Sequence, residues 1–332
     1  MLTKSAQCSV VSAARSASDN GPNLSTLNPQ LSTPLSEFLQ QLLNGLSLGA
    51  IYALIALGYT MVYGVLRFIN FAHSDVFMVG AIIGYYTGNH LPAGTIGGGL
   101  LVLAAAMTGC AILGILIERF AYRPLRNAPT LNVLITAIGV SLLLEYTFQN
   151  QKVFGAAPQL FPQIFPIRKF QLGSLSISSN QLLVIGVAVL LMVALQFIVH
   201  RTKIGTAMRA VSLNPKAAQL VGINIDVVIS FTFGLGSALA GAGGILYALN
   251  YPSVEPLMGV VPGLKAFIAA ILGGIGNIPG AALGGLILGT VETFVAGSPW
   301  STYKDAIAFA VLIIIMLFRP AGLLGKFTVE KV

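Results

Sequence analysis

The chain has 332 residues, of which 55% are hydrophobic and 8% are charged, with a net charge of +8. Soluble domains carry roughly 25% charged residues, so this composition excludes a soluble globule and predicts a protein of the lipid bilayer. A basic chain could bind nucleic acid, but here the basic residues lie in short links between apolar runs, as in multi-spanning membrane proteins. We therefore expect contact with membrane lipid and no nucleic-acid partner.

The first 35 residues differ in composition from the rest of the chain. Residues 1–35 are rich in Ser, Asn, Pro and Thr, and they contain no apolar run of signal-peptide length. Such a segment cannot bury a core, so we predict a disordered tail followed by a membrane domain over residues 36–332.

The apolar runs predict an all-α, polytopic transmembrane bundle of eight or nine segments. The predicted segments are Phe38–Tyr63, Val76–Tyr86, Gly98–Ile117, Leu131–Phe148, Leu182–Val199, Val227–Leu249, Leu264–Leu272, Ala281–Val295 and Thr302–Phe318. The second and the seventh are too short to cross roughly 30 Å at 1.5 Å per residue. We predict that these two are half-helices of broken segments.

Two short segments begin or end beside polar residues. Asn70, His73, Ser74 and Asp75 precede the second predicted segment, and "GGIGNIP", which contains Asn277, follows the seventh. A pair of interrupted segments, one in each half of the chain, indicates a transporter site near the membrane midplane, with helix N-termini facing the substrate. In the alternative interpretation, Ser74 or Asp75 only caps the next helix.

Two ionisable residues lie within or beside the apolar segments of the second half. A lone charge inside the membrane costs roughly 3 kcal/mol on insertion scales, so Lys265 and Glu292 should each face protein, water or a partner. We predict that both lie near the translocation path. The alternative for Lys265 is a side chain that extends to the membrane interface.

Lys and Arg residues predict the orientation of the chain. They are frequent in the links 118–126 and 200–226 and in the tail after residue 318, so these parts, including the C-terminus, should be cytoplasmic. The link 149–181 is then external, although its three basic residues oppose the rule.

The link 200–226 contains the signals of a short helix. Asn214 is a good N-cap, Pro215 suits the first helical position, and Gly222 suits a left-handed residue after the last turn. The helix would present a small apolar face made of Ala217, Ala218 and Val221. A helix this short is unstable alone, so we expect it to dock on a partner. A plain connecting loop is the alternative.

Several blocks of the sequence resemble one known family. The blocks are "NGLSLGAIYALIALGYTMVYGVLRFINFAHSDVFMVGA" (44–81), "ERFAYRPLR" (118–126), "GTAMRAVSLNPKAAQLVGIN" (205–224), "KAFIAAILGGIGNIPGAALGGLILG" (265–289) and "RPAGLLG" (319–325). From about residue 36 to the last residue, the chain resembles the membrane permease subunit of bacterial ABC importers for branched-chain and other neutral amino acids. Ser74 departs from the Gly that the family pattern has in "INFAHGD".

The resemblance implies the partners that an importer needs. The chain contains no GxxxxGK[ST] motif, so we expect no cofactor bound by this chain, no enzyme activity, and ATP hydrolysis by separate subunits. The implied assembly contains a second, related permease subunit, two cytoplasmic ATPases and an external solute-binding protein, in the bacterial inner membrane. The implied ATPase-coupling residues are Gly205, Arg209, Asn214, Pro215, Ala217, Ala218 and Gly222.

Three alternative functions stay open at this stage. A permease for urea or another small solute shares much of the pattern, and a passive channel can also be built from Gly-rich broken helices. An intramembrane hydrolase is a weaker alternative, because the His residues occur in scattered settings and no HExxH motif is present. No Cys or His cluster has the spacing of metal ligands, and Cys8 and Cys110 are not expected to pair.

Overall fold

The computed structural model describes residues 34–92, 94–126, 128–173, 175–319 and 321–325. The predicted disordered tail lies outside these residues except for its last two, which already belong to the first helix. The described residues form eleven α-helices: α1 Pro34–Leu66, α2 His73–His90, α3 Ile96–Ile117, α4 Thr130–Gln149, α5 Ser179–Arg201, α6 Lys203–Leu213, α7 Pro215–Leu220, α8 Ile225–Asn250, α9 Val260–Gly273, α10 Ile278–Ala296 and α11 Lys304–Phe318.

Seven of these helices are long and apolar enough to cross a membrane. They are α1, α3 together with the turns that extend it to Leu125, α4, α5, α8, α10, and α11 together with the 3-10 turn that precedes it from Ser301, a stretch of 18 residues. The two remaining apolar helices correspond to the predicted short segments. Helix α9 has 14 residues, which is roughly 21 Å and too short to span a bilayer. Helix α2 has 18 residues and is longer than predicted, because it includes the polar residues at both ends. The prediction of a polytopic all-α bundle is confirmed.

Helix α1 is the centre of the bundle, and 94% of its most apolar stretch is buried. Small residues let α10 pack directly on it. A Cβ atom added to Gly289 would lie 2.3 Å from the Cα of Gly49, and one added to Gly285 would lie 2.4 Å from the backbone N of Ala53. The glycine spacing in both helices therefore permits backbone contact, as small residues do in membrane helix pairs.

Two small antiparallel sheets lie at one end of the bundle, which we call the hairpin end. Strand β1 (Gln159–Leu160) pairs with β4 (Ser253–Val254), and β2 (Lys169–Leu172) pairs with β3 (Leu175–Ser178). Their loops join α4 to α5 and α8 to α9. The backbone N of Ser176 donates to the side chain of Gln40, which places the start of α1 at the same end.

The opposite end, which we call the link end, contains α6, α7 and the turn between α9 and α10. Arg67, after α1, donates to the backbone oxygen of Ser212 in α6. The backbone N of Leu324 donates to the oxygen of Gly273, so the C-terminal stretch 321–325 is also here. Asp226, at the start of α8, forms ion pairs with Arg123 and Arg126. The basic links therefore share one end of the bundle, the arrangement that their charge predicts.

Candidate functional site

The chain breaks and turns back between α1 and α2. Arg67 has a φ of 56°, the left-handed conformation that non-glycine residues adopt only in special turns. Helix α2 then begins at His73, whose side chain lies against Gly58 of α1. Gly58 is about two turns, or roughly 12 Å, before the end of α1. The N-terminus of α2 thus lies inside the bundle, as a half-helix requires.

Capping does not explain the polar residues at this break. The start of α2 has no side-chain cap. Instead, Ser74 donates its hydroxyl to the backbone oxygen of Phe71, at 2.8 Å, and Asp75 accepts a hydrogen bond from Ser141 of α4. The alternative in which Ser74 or Asp75 caps the helix is therefore wrong.

Asn70 and His73 are both buried at this break. The side-chain oxygen of Asn70 accepts a hydrogen bond from the Tyr122 hydroxyl at 2.6 Å. The His73 ring packs edge-on against Tyr59, with 4.7 Å between ring centroids. Its Nε2 atom has no hydrogen-bond partner within the described part of the chain. Buried polar atoms are nearly always hydrogen-bonded, so this nitrogen is suited to a water or a solute.

Lys265 and Glu292 form a buried ion pair between α9 and α10. The Lys265 Nζ atom lies 2.6 Å from Oε1 of Glu292 and 2.6 Å from Oδ1 of Asp305, at the start of α11. The Tyr52 hydroxyl of α1 donates to the other oxygen of Glu292 at 2.9 Å. The Lys265 side chain is 3% exposed, so it faces protein partners and does not extend to the membrane interface. These contacts confirm the prediction that neither charge is alone.

The structure separates Asn277 from this pair. Its side-chain oxygen accepts from the backbone N of Gly280 at 3.2 Å, which caps α10, and its amide donates to the oxygen of Leu324 at 2.8 Å. The side-chain oxygen and the amide nitrogen of Asn277 therefore both bind backbone groups at the link end. Asn277 caps α10 and connects it to the C-terminal stretch, and its place on the substrate path stays a prediction.

The sequence did not identify several partners of these residues. Tyr52, Tyr122 and Ser141 lie within apolar runs or helices and become important only through contacts between distant elements. Glu118 is fully buried, pairs with Arg126, and accepts from Ser230 at 2.6 Å. The sequence did contain an indication for Glu118, because an acidic residue at the end of an apolar run needs a partner.

Helix α7 forms as the sequence predicts, from residue 215 to 220. Asn214 caps it by accepting from the backbone N of Ala217 at 3.1 Å, and Pro215 is its first residue. Gly222 has a φ of 85°, the left-handed conformation that follows many helices. The helix has six residues, less than two turns.

The outer face of α7 differs from the predicted one. Ala218 is only 3% exposed and faces the protein interior, so it cannot contact a partner directly. Leu220 is 89% exposed, and Leu213 and Val221 are also exposed. Of the three residues predicted on the docking face, Ala217 and Val221 are exposed and Ala218 is not, while Leu220 and Leu213, at the end of α6, add exposed apolar surface.

Gly205 and Arg209 of α6 both contact the end of α5 and do not project outward toward a partner. A Cβ atom on Gly205 would lie 2.2 Å from the backbone oxygen of Ile198, so α6 contacts the end of α5 closely. The guanidinium of Arg209 donates to the oxygen of His200 at 3.3 Å. Both residues fix α6 against α5 and thereby hold α7 in place.

The geometry does not support a hydrolase. The stretch "GLSLG", residues 45–49, has the letters of a GxSxG motif, but Ser47 lies in the middle of α1 and not at a strand-to-helix turn. Its hydroxyl accepts a hydrogen bond from Asn250. Among the described residues, no group of three His, Cys, Asp or Glu side chains could hold a metal ion.

Seven spanning helices, two shorter buried helices and charges paired inside the bundle define a membrane transport protein. Residues 41–316 match the family model described as the permease component of the branched-chain amino acid transport system. The chain belongs to this family of ABC importer permeases, whose members are transport subunits and not enzymes.

Curated relatives align over almost their whole length. The high-affinity branched-chain amino acid permease proteins BraD of Pseudomonas aeruginosa and LivH of Escherichia coli K12 are each 43% identical to the chain. Both alignments cover 89% of this chain and 98% of the relative. A probable LivH of Methanocaldococcus jannaschii is 31% identical over 82% of this chain and 88% of that protein.

Proposed function

We propose that the chain carries branched-chain and related neutral amino acids across the bacterial inner membrane as one permease subunit of an ABC importer. The observation that carries this proposal is the alignment over 98% of two permeases named for branched-chain amino acid transport. The apolar walls of the bundle suit an aliphatic side chain, and buried polar groups at helix breaks suit the charged ends of the solute.

The proposed assembly contains a second permease, two ATPases that use ATP, and an external solute-binding protein. Helices α4, α5 and α11 are largely exposed, which leaves apolar surface for lipid or the second permease. Helix α7 offers an outer apolar face for an ATPase. The positive-inside rule favours a cytoplasmic link end and C-terminus, and the hairpin end is then free to receive the binding protein.

Deletion of the subunit tests the proposed substrate class. Cells that lack it should lose high-affinity uptake of labelled leucine, and the intact gene should restore that uptake. Unlabelled leucine should compete strongly, alanine more weakly, and urea not at all. If the deletion abolished urea uptake and left leucine uptake unchanged, the assignment would be overturned in favour of a urea permease.

The residues at the start of α2 should matter for transport more than for membrane insertion. We propose that Asn70, His73 and Asp75 lie near the translocation path, because irregular backbone at this depth is tolerated only beside protein or a water-filled cavity. Substituting His73→Ala or Asp75→Ala should reduce leucine uptake about tenfold and leave the amount of folded protein near normal.

A matched control is Thr136→Ala on the exposed side of α4, because its hydroxyl bonds only within its own helix. This variant should transport normally. Equal losses of folded protein and uptake in the His73 and Asp75 variants would instead assign them a structural role only.

A further inference from the structure

A polar cavity opens at the hairpin end and has a volume of about 380 Å³. This volume lies within the range of small-molecule sites, roughly 300–1,000 Å³. Helices α1, α5 and α10, the end of α8 and the start of α11 form its walls. Its neutral polar residues include Gln41, Asn44, Ser47, Gln181, Asn250 and Thr293.

Hydrogen bonds between neighbouring helices hold these neutral side chains in place. The Gln181 amide donates to the side-chain oxygen of Asn44 at 2.7 Å, and the Asn250 amide donates to the Ser47 hydroxyl at 3.0 Å. The first bond joins α5 to α1, and the second joins the end of α8 to α1. The walls are therefore fixed before any ligand binds, which lowers the entropy cost of binding.

Opposite charges line two parts of this cavity. Glu292 contributes to the wall and is buried together with Lys265, and Lys265 also contacts Asp305, whose side chain is 50% exposed and lies outside the lining. These three side chains carry two negative charges and one positive charge, so the cluster has an excess of one carboxylate. Lys304 also lines the cavity, and it forms no ion pair with any side chain in the described ranges.

We propose that this cavity binds the zwitterionic head of an α-amino acid, with the ammonium group toward Glu292 and the carboxylate toward Lys304. This site rests on the proposed function, because it gives the imported solute a place on the permease itself. A ligand with both charges places a cation beside the carboxylate-rich cluster and an anion beside Lys304. An uncharged solute such as urea does neither.

The cavity also has room for an aliphatic side chain. Leu48, Tyr251 and Ala296 supply apolar surface next to the polar walls. Charge selection by Glu292 and Lys304 recognises the part that all α-amino acids share, whereas the apolar wall accepts side chains of different shape. The site therefore favours the zwitterion over any particular side chain, and a binding protein would add finer selection.

Saturation-transfer NMR on the purified importer complex, without its binding protein, tests the ligand class. Leucine should show saturable binding, whereas 4-methylpentanoate, which lacks the ammonium group, and isoamylamine, which lacks the carboxylate, should bind at least tenfold more weakly. Equal binding of all three would overturn the proposal, as would the absence of saturable leucine binding.

Variants of Lys304 locate the site. Lys304→Gln should raise the dissociation constant for leucine about tenfold, and Lys304→Arg should preserve binding because the cation is retained. Thr290→Val is the control, since its hydroxyl bonds within α10 and it does not line the cavity. Unchanged binding by the Lys304→Gln complex would overturn this location.

The experiments distinguish a failure of the proposed cavity site from a failure of the proposed import function. A complex that imports leucine in cells but binds no leucine in the NMR experiment would remove the cavity and leave the import function standing. A complex that binds zwitterions but whose deletion leaves leucine uptake unchanged would remove the import function instead.

Discussion

Replacing Lys265 with Met is expected to remove most of the folded chain from the membrane. Lys265 lies 2.6 Å from Glu292, and the substitution leaves that carboxylate buried without its cation. Breaking a buried ion pair by removing one partner typically costs about 3–5 kcal/mol, because the remaining charge is uncompensated. The measurement is the amount of monodisperse protein extracted from membranes in mild detergent, compared with the parent chain.

The double variant Lys265→Met with Glu292→Gln should recover most of the folded protein, because no buried charge is left unpaired. Leucine uptake per folded complex should stay strongly reduced if the pair lies near the path. If the single and the double variant both assembled and transported with unchanged kinetics, the proposal that these residues lie near the path would have to be abandoned.

Local chemistry made some elements predictable from the sequence. The capping residue Asn214, the following proline and Gly222 each act within one turn of chain, and α7 forms where they predict it. The short seventh segment was equally clear, because α9 has only 14 residues, whereas α2 extends beyond its apolar run to 18 residues. Composition alone was sufficient to predict a membrane bundle.

Partners that are distant in sequence could not be predicted. Tyr52 donates to Glu292 across 240 positions, and Asp75 accepts from Ser141 across 66. Such contacts depend on which helices pack against each other. The pattern of apolar residues in one sequence does not reveal which helices are neighbours. The glycine spacing in α10 permits a close helix contact but does not indicate that α1 is the partner.

The faces of short helices were also ambiguous. Helix α7 has apolar residues on more than one side, so their spacing did not reveal that Ala218 packs inward and Leu220 outward. Asn277 presents a similar problem, because a polar residue at a helix break can serve a solute or the backbone. In the structure its side chain forms two hydrogen bonds to the backbone, at Gly280 and Leu324, which the sequence did not reveal.

Replacing Leu220 with Glu is expected to uncouple ATP hydrolysis from transport. Leu220 is 89% exposed, so the change should leave the fold of the permease intact. In the proposed assembly, its side chain fills an apolar groove on an ATPase subunit, and a buried carboxylate without a partner there would cost several kcal/mol. We expect the purified complex to lose its ATPase subunits, or to retain them without stimulation by the loaded binding protein.

The matched control for this prediction is Gln219→Glu, which adds the same charge one position earlier. Gln219 lines the cleft between α7 and the end of α1, and it lies roughly 100° around the helix from Leu220. Surface charges that are not buried at an interface contribute little, so this variant should keep most of the coupled activity.

Ala218→Glu is unsuitable as a test, because Ala218 is buried in its own chain and the substitution would disrupt the link itself. A Leu220→Glu complex that kept its ATPases and full substrate-stimulated hydrolysis would contradict the coupling role of α7. Loss of activity in both variants would point to charge in this region, and not to the apolar contact, as the cause.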